Sequence, residues 1–194
     1  LGVKYLSGAA EDHTGRLFDG LMGYPSQKSP KTFTARRLRE MLVESGYEGE
    51  SKLYYPFPDY KIPTTLLSEE LPSLNPELAS ELAVIRPFES YGTRRITLFS
   101  ETLAFDTLAR EGLFEYFANS YLLFCGKSSA ADAQLERMTR SMPLAIHYSQ
   151  GRRREIQTRF EKFGNGIRVS KGDLKDAGAN SPEELDFGNY LWKN

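Results

Sequence analysis

The sequence predicts an α/β fold, and three stretches carry that prediction. Residues 34–57 read as a helix, a glycine turn and a strand, which is half of an α/β unit. Residues 119–125 form a short apolar run with the length and composition of a buried strand. Residues 155–170 alternate around Gly164-Asn165-Gly166, the pattern of a β-hairpin.

Composition bounds the possibilities. The chain has 194 residues, of which 40% are hydrophobic and 26% charged, so it can bury a core and is not of the disordered class. Its formal charge is -1, so the chain as a whole exerts no long-range pull on polyanions such as nucleic acid. No apolar run approaches the roughly 20 residues of a transmembrane helix. Cys125 is the single cysteine, which excludes an internal disulfide and a multi-cysteine metal site. That usage fits a reducing compartment, hence a cytoplasmic location. Leu1, Val3 and Tyr5 alternate from the first residue like the tail of a strand, and a piece of a longer protein is expected.

The elements follow in order. Residues 7–31 are loop material, with Gly8, Gly15, Gly20, Gly23, Pro25 and Pro30 around Glu11, Asp12, His13 and Thr14. A helix spans 34–45: Thr34 is its N-cap, Leu38, Met41 and Leu42 its apolar face, and Gly46 its terminator. Arg36, Arg37, Arg39, Glu40 and Glu44 cover the rest of it. A strand over 51–57 runs into Pro56-Phe57-Pro58. Prolines 58, 63, 72, 76 and 87 limit the next stretch to short helices near 66–71 and 76–83. A second amphipathic helix runs from Ser100 to Arg110, with Leu103, Leu108 and Ala104 or Thr107 on one side and Gly112 beyond its end. Residues 128–140 read as a linker or a surface helix, and a domain boundary is placed near residue 138. A strand over 144–148 precedes the hairpin, and the last 20 residues are polar until Tyr190-Leu191-Trp192.

Several strings together resemble one family. They are the opening Leu-Gly-Val-Lys-Tyr-Leu-Ser-Gly-Ala, Glu-Asp-His-Thr-Gly at 11–15, Phe18-Asp19-Gly20, Thr32-Phe33-Thr34 opening a helix, and Tyr54-Tyr55-Pro56-Phe57-Pro58-Asp59-Tyr60-Lys61-Ile62-Pro63. Asn119-Ser120-Tyr121-Leu122-Leu123-Phe124 follows as a last strand, and then Tyr148-Ser149 with Arg152-Arg153-Arg154-Glu155. Over roughly residues 1–170 the chain resembles the C-terminal half of class I S-adenosylmethionine-dependent methyltransferase domains of bacterial surface-polysaccharide (LPS or capsule) biosynthesis proteins, some of which also carry a glycosyltransferase module. The resemblance implies a partial Rossmann-like sheet whose final two strands pair antiparallel at its edge. It implies that 1–138 is the C-terminal part of a methyltransferase-like domain with an insertion over about 62–115, and that 139–194 is a small β-rich basic extension. The departure from the family is the cofactor loop: no Gly-x-Gly-x-Gly string occurs in the chain. S-adenosylmethionine is then the cofactor of the parent protein, bound poorly or not at all by this chain alone.

Three groups of residues are candidates for chemistry. Glu11, Asp12 and His13 sit in the glycine-rich loop, where they fit either a solvated surface or a site. In a methyl transfer the acceptor must lose a proton, and histidine, with an ordinary pKa of about 6.5, suits that task. Tyr55, Asp59, Tyr60 and Lys61, with Tyr54, suit a polyhydroxy acceptor, since rings stack on sugars and carboxylates accept from hydroxyls. The competing reading is a strand that buries one of its tyrosines. Arg152 and Arg153 lead a basic stretch with Arg154, Arg159, Lys162, Arg168, Lys171 and Lys175. Against Glu155, Glu161 and Asp173 this gives 145–175 a net +5. That stretch fits a solvated face, a nucleotide-sugar or glycan phosphate, or an acidic membrane surface. Cys125 reads as an inert thiol in a strand and His147 as a structural histidine, so no metal site is expected.

The expected function is the acceptor side of a methyltransferase acting on a glycan or lipid-linked saccharide precursor. The alternatives are a non-catalytic accessory or interaction module of a polysaccharide-biosynthesis glycosyltransferase, or the accessory region of such an enzyme. Expected partners are the saccharide precursor, the missing N-terminal half of the domain, and a second copy through an exposed sheet edge. Nucleic acid is not expected as a partner, and association at the inner face of the membrane is.

Overall fold

The computed structural model describes residues 33–47, 51–58, 63–85, 99–118, 120–125, 133, 142–148 and 156–173. The predicted loop over 7–31 and the C-terminal tail lie outside the described residues, as does the boundary region around 138 except for Ala133.

Helix α1 spans Ala35–Glu44. The Thr34 hydroxyl accepts from the Arg37 N–H at 3.2 Å, which satisfies one of the open donors of the first turn. Gly46 takes φ 83°, the left-handed conformation that lets the chain leave the helix. The inward stripe is Ala35, Leu38, Arg39 and Leu42, while Met41 is exposed. Arg37 and Glu44 pair along the outside at 2.7 Å.

Strand β1 is Ser51–Phe57 and strand β2 is Thr65–Ser68. The helix expected over 66–71 is therefore a strand, a turn and the short helix α2, Leu71–Leu74. Its leucines fit either pattern, and pairing with β1 decides: Tyr54, Tyr55, Pro56 and Phe57 register with Ser68, Leu67, Leu66 and Thr65. Pro56 lies inside β1 instead of closing it. The neighbouring β3 registers only with Ser51 to Tyr54, so at Pro56 the strand resembles an edge, where a missing N–H is tolerated.

Helix α3, Pro76–Val84, begins with proline at a position that needs no donor, and Asn75 caps it by accepting from the Leu78 N–H at 3.0 Å. Helix α4, Glu101–Arg110, starts at the expected Ser100 cap and stops before Gly112, at φ 69°. Its inward side is Phe105 and Ala109, not Leu103, which is 68% exposed. The aromatic wins because Phe105 meets Phe57 and Phe114 at ring separations of 5.6 and 5.3 Å. Helix α5, Phe114–Phe117, follows directly.

Strand β3 is Leu122–Cys125, β4 is Ala145–His147, and β5, Ile156–Phe163, and β6, Gly166–Asp173, form the expected hairpin. The six strands make one sheet in the order β3-β1-β2-β4-β5-β6, and every pairing is antiparallel. The fold is α/β, and nothing in this sheet is specific to a Rossmann-like one, whose strands are mostly parallel. β3 is half-exposed, not buried, because it is the end strand of this order. The sheet is continuous from β1 to β6, so the strands after residue 138 belong to the same layer as those before it.

The described helices pack on the face that carries Leu53, Tyr55, Phe57, Leu67, Ala145, Phe160 and Val169, with Leu71, Leu78, Leu82, Phe105 and Phe114 opposite. Tyr54 points to the other face, by the alternation of the strand. There its hydroxyl donates to the Pro143 carbonyl at 2.9 Å, and its ring meets Phe124 edge-on.

Candidate functional site

Glu11, Asp12, His13, Asp59, Tyr60, Lys61, Arg152 and Arg153 lie outside the described residues. Tyr55 is the predicted site residue that the structure describes, and it is 3% exposed. Its ring packs on Phe114 and Tyr121 at 5.5 and 6.3 Å, so it is a core residue at the centre of a polar cluster.

That cluster is built around Arg39. One guanidinium nitrogen meets Glu69 at 2.9 Å and another meets Glu115 at 3.1 Å. Glu69 stands in the turn after β2 and also accepts from the Leu53 N–H at 2.9 Å. Glu115 stands on α5 and accepts from the Tyr55 hydroxyl at 3.5 Å. The Tyr121 hydroxyl donates to the Glu115 carbonyl at 2.9 Å. Three helical or turn segments are thereby fixed to β1 through one cation.

The electrostatics follow from this geometry. Burial pulls the Arg39 guanidinium down, but Glu115 and Glu69 more than offset it, so its pKa is raised. Burial, reinforced by the charge of Glu115, pushes the Tyr55 and Tyr121 hydroxyls well above the usual range. Both tyrosines therefore stay protonated and act as donors, not as bases. Both carboxylates bond to the same guanidinium. The cluster suits rigid positioning of α1 and α5 better than proton transfer.

The cluster was not readable as a unit. Arg39 looked like one more solvated charge on α1, although its place four residues after Ala35 and three before Leu42 puts it on the inward stripe. Glu69, Glu115 and Tyr121 carry no local signal, because only the folded chain brings them together.

A second polar contact lies across the sheet. Thr65 Oγ1 and His147 Nδ1 are 3.0 Å apart, on a row that continues to Thr158. Thr65 and Thr158 are 1% and 3% exposed, so His147 satisfies a buried hydroxyl, as a structural histidine does. Cys125 is half-buried on the end strand. Among the described residues, no three His, Cys, Asp or Glu side chains gather to hold a metal ion.

The sequence lacks the Gly-x-Gly-x-Gly string, and among the described residues the carboxylates that reach β1 are engaged, Glu69 and Glu115 by Arg39 and Glu70 by Lys52. Among the described residues, no helix is long and apolar enough to cross a membrane. Comparison of the chain with protein-family models, with curated proteins and with solved structures finds no match.

Proposed function

We infer that the chain supplies the acceptor side of an S-adenosylmethionine-dependent methyltransferase acting on a glycan or glycolipid precursor, with the cofactor held by residues outside this sequence. One observation carries the reading. β1 and β3 are separated by the whole stretch 58–121, yet they pair antiparallel over Ser51↔Cys125 to Tyr54↔Leu122. This is the relation that the resemblance implies for the last two strands of such a domain, with an inserted segment between them. The capped helix α1 leading into β1 is in keeping with it.

Isothermal titration with S-adenosylmethionine tests the reading, on this chain and on the full natural polypeptide. The expected result is no micromolar binding by the chain alone and micromolar binding by the full polypeptide. A cooperatively folded full polypeptide that binds no cofactor would sink it.

The second reading is a non-catalytic interaction module. It is favoured by the closed Arg39 cluster, in which the charges and hydroxyls around β1 are spent on holding helices to the sheet. A glycan that raises the melting temperature of a full polypeptide unable to bind S-adenosylmethionine would support it.

A further inference from the structure

The tip of the β5–β6 hairpin has no part in the Arg39 cluster or in the β1–β3 pairing, and its surface is unusual. Lys162, Phe163, Gly164, Asn165 and Gly166 are five consecutive exposed residues, so the tip stands clear of the described sheet. Phe163 is 53% exposed there. The Arg168 guanidinium carbon sits 3.5 Å from the centre of its ring, a cation–π stack that holds the ring at the end of the hairpin.

The charges at the tip are unequal. Over 156–173 the hairpin carries Arg159, Lys162, Arg168 and Lys171 against Glu161 and Asp173, a net +2. Glu161 is already engaged by Arg159 at 3.3 Å. Arg168 lies on the exposed ring, and Lys162 adds a second cation at the tip, on the opposite face of the hairpin by strand alternation. An apolar ring at a protruding turn, with cations beside it, matches the chemistry of an anionic lipid surface. The ring enters the boundary between headgroups and chains, while the cations stay at the phosphates.

We propose that the hairpin tip, through Phe163, Lys162 and Arg168, docks the chain on anionic lipid bilayers. A single-stranded nucleic acid would be met by the same cations and would stack a base on such a ring, but the Arg168 guanidinium already covers one face of it, 3.5 Å from its centre.

Vesicle sedimentation of the 194-residue chain tests this. Vesicles of phosphatidylcholine mixed with phosphatidylglycerol should carry the chain down, vesicles of phosphatidylcholine alone should not, and added salt should weaken the binding. Phe163→Ser should weaken it about tenfold. Lys162→Glu and Arg168→Glu each change two units of charge and should weaken it about twenty-fivefold, at roughly fivefold per unit. Leu103→Ser, at a still more exposed apolar position on α4, should change nothing. Circular dichroism verifies that each variant folds. Equal binding to neutral vesicles, binding that survives the hairpin substitutions, or no sedimentation overturns the proposal. Binding of a single-stranded oligonucleotide in place of vesicles, lost in Arg168→Glu, also overturns it and assigns the tip to nucleic acid.

Discussion

The Tyr54 hydroxyl donates to the Pro143 carbonyl across 89 residues of sequence, at 2.9 Å and away from solvent. The bond fastens the segment before β4 to the far face of β1. Tyr54→Phe keeps the edge-on contact with Phe124 and removes only this donor. It should cost about 1 kcal/mol, read as a lower urea midpoint at unchanged slope. A midpoint equal to that of the parent would show that the bond contributes nothing net.

Alkaline pH should unfold the chain through its tyrosines. Burial first, and then the charges of Glu70 and Glu69, push Tyr54 up to about 12. Tyr55 and Tyr121 shift in the same direction, again mainly through burial. In the unfolded chain each loses its proton near the ordinary value of about 10. The stability gained by keeping these protons is therefore whole below pH 10 and is lost as pH rises through 10 toward 12 and beyond. Phenolate absorbance should show these groups ionising together with the loss of circular dichroism. A smooth titration of all eleven tyrosines near pH 10 in a folded chain would contradict it.

Arg39→Met should destabilise by about 1–3 kcal/mol, because Glu69 and Glu115 are left without their common partner in a half-buried place. Arg39→Lys should recover only part of the loss, since an ammonium cannot span both carboxylates in the same fork. A double-mutant cycle with Glu115→Gln should return a coupling of about 1 kcal/mol. Additive losses would place the effect in packing instead.

The two sides of α4 should respond oppositely. Phe105→Ala empties a site between Phe57 and Phe114 and should cost about 3–5 kcal/mol. Leu103→Ser should stay within about 0.5 kcal/mol. Thermal melts of the two variants decide which side is buried.

Gly46→Ala should cost about 1 kcal/mol from backbone strain alone, since φ is +83° and a Cβ there would meet nothing within 4 Å. A chemical-denaturation difference near zero would mean that the helix end relaxes.

What the sequence revealed was what neighbours in the chain decide. Thr34 and Gly46 mark both ends of α1, Ser100 and Gly112 bracket α4, and Gly164-Asn165-Gly166 places the hairpin turn. Hidden were the features set by distant partners. Leu66 and Leu67 fit a helix as well as a strand until β1 and β4 claim them. Leu103 and Phe105 offer competing faces of α4 until Phe57 arrives. For the candidate site, Tyr55 fits in sequence either a substrate surface or a strand that buries one of its tyrosines, and in the fold it is 3% exposed. Arg39 carries no such signal in sequence, because a charge among the charges of α1 reads as solvated.

The ladder between β2 and β4 has three registered pairs, Thr65↔His147, Leu66↔Ile146 and Leu67↔Ala145, with one further hydrogen bond beyond each end. On one side lie β1 and β3, braced by the helices; on the other lies the long β5–β6 hairpin. Such a short isthmus concentrates mechanical load. Pulled across its strands, the sheet should part like a zipper beside β4, whose ladder to β5 also has three registered pairs, leaving β5 and β6 joined along eight.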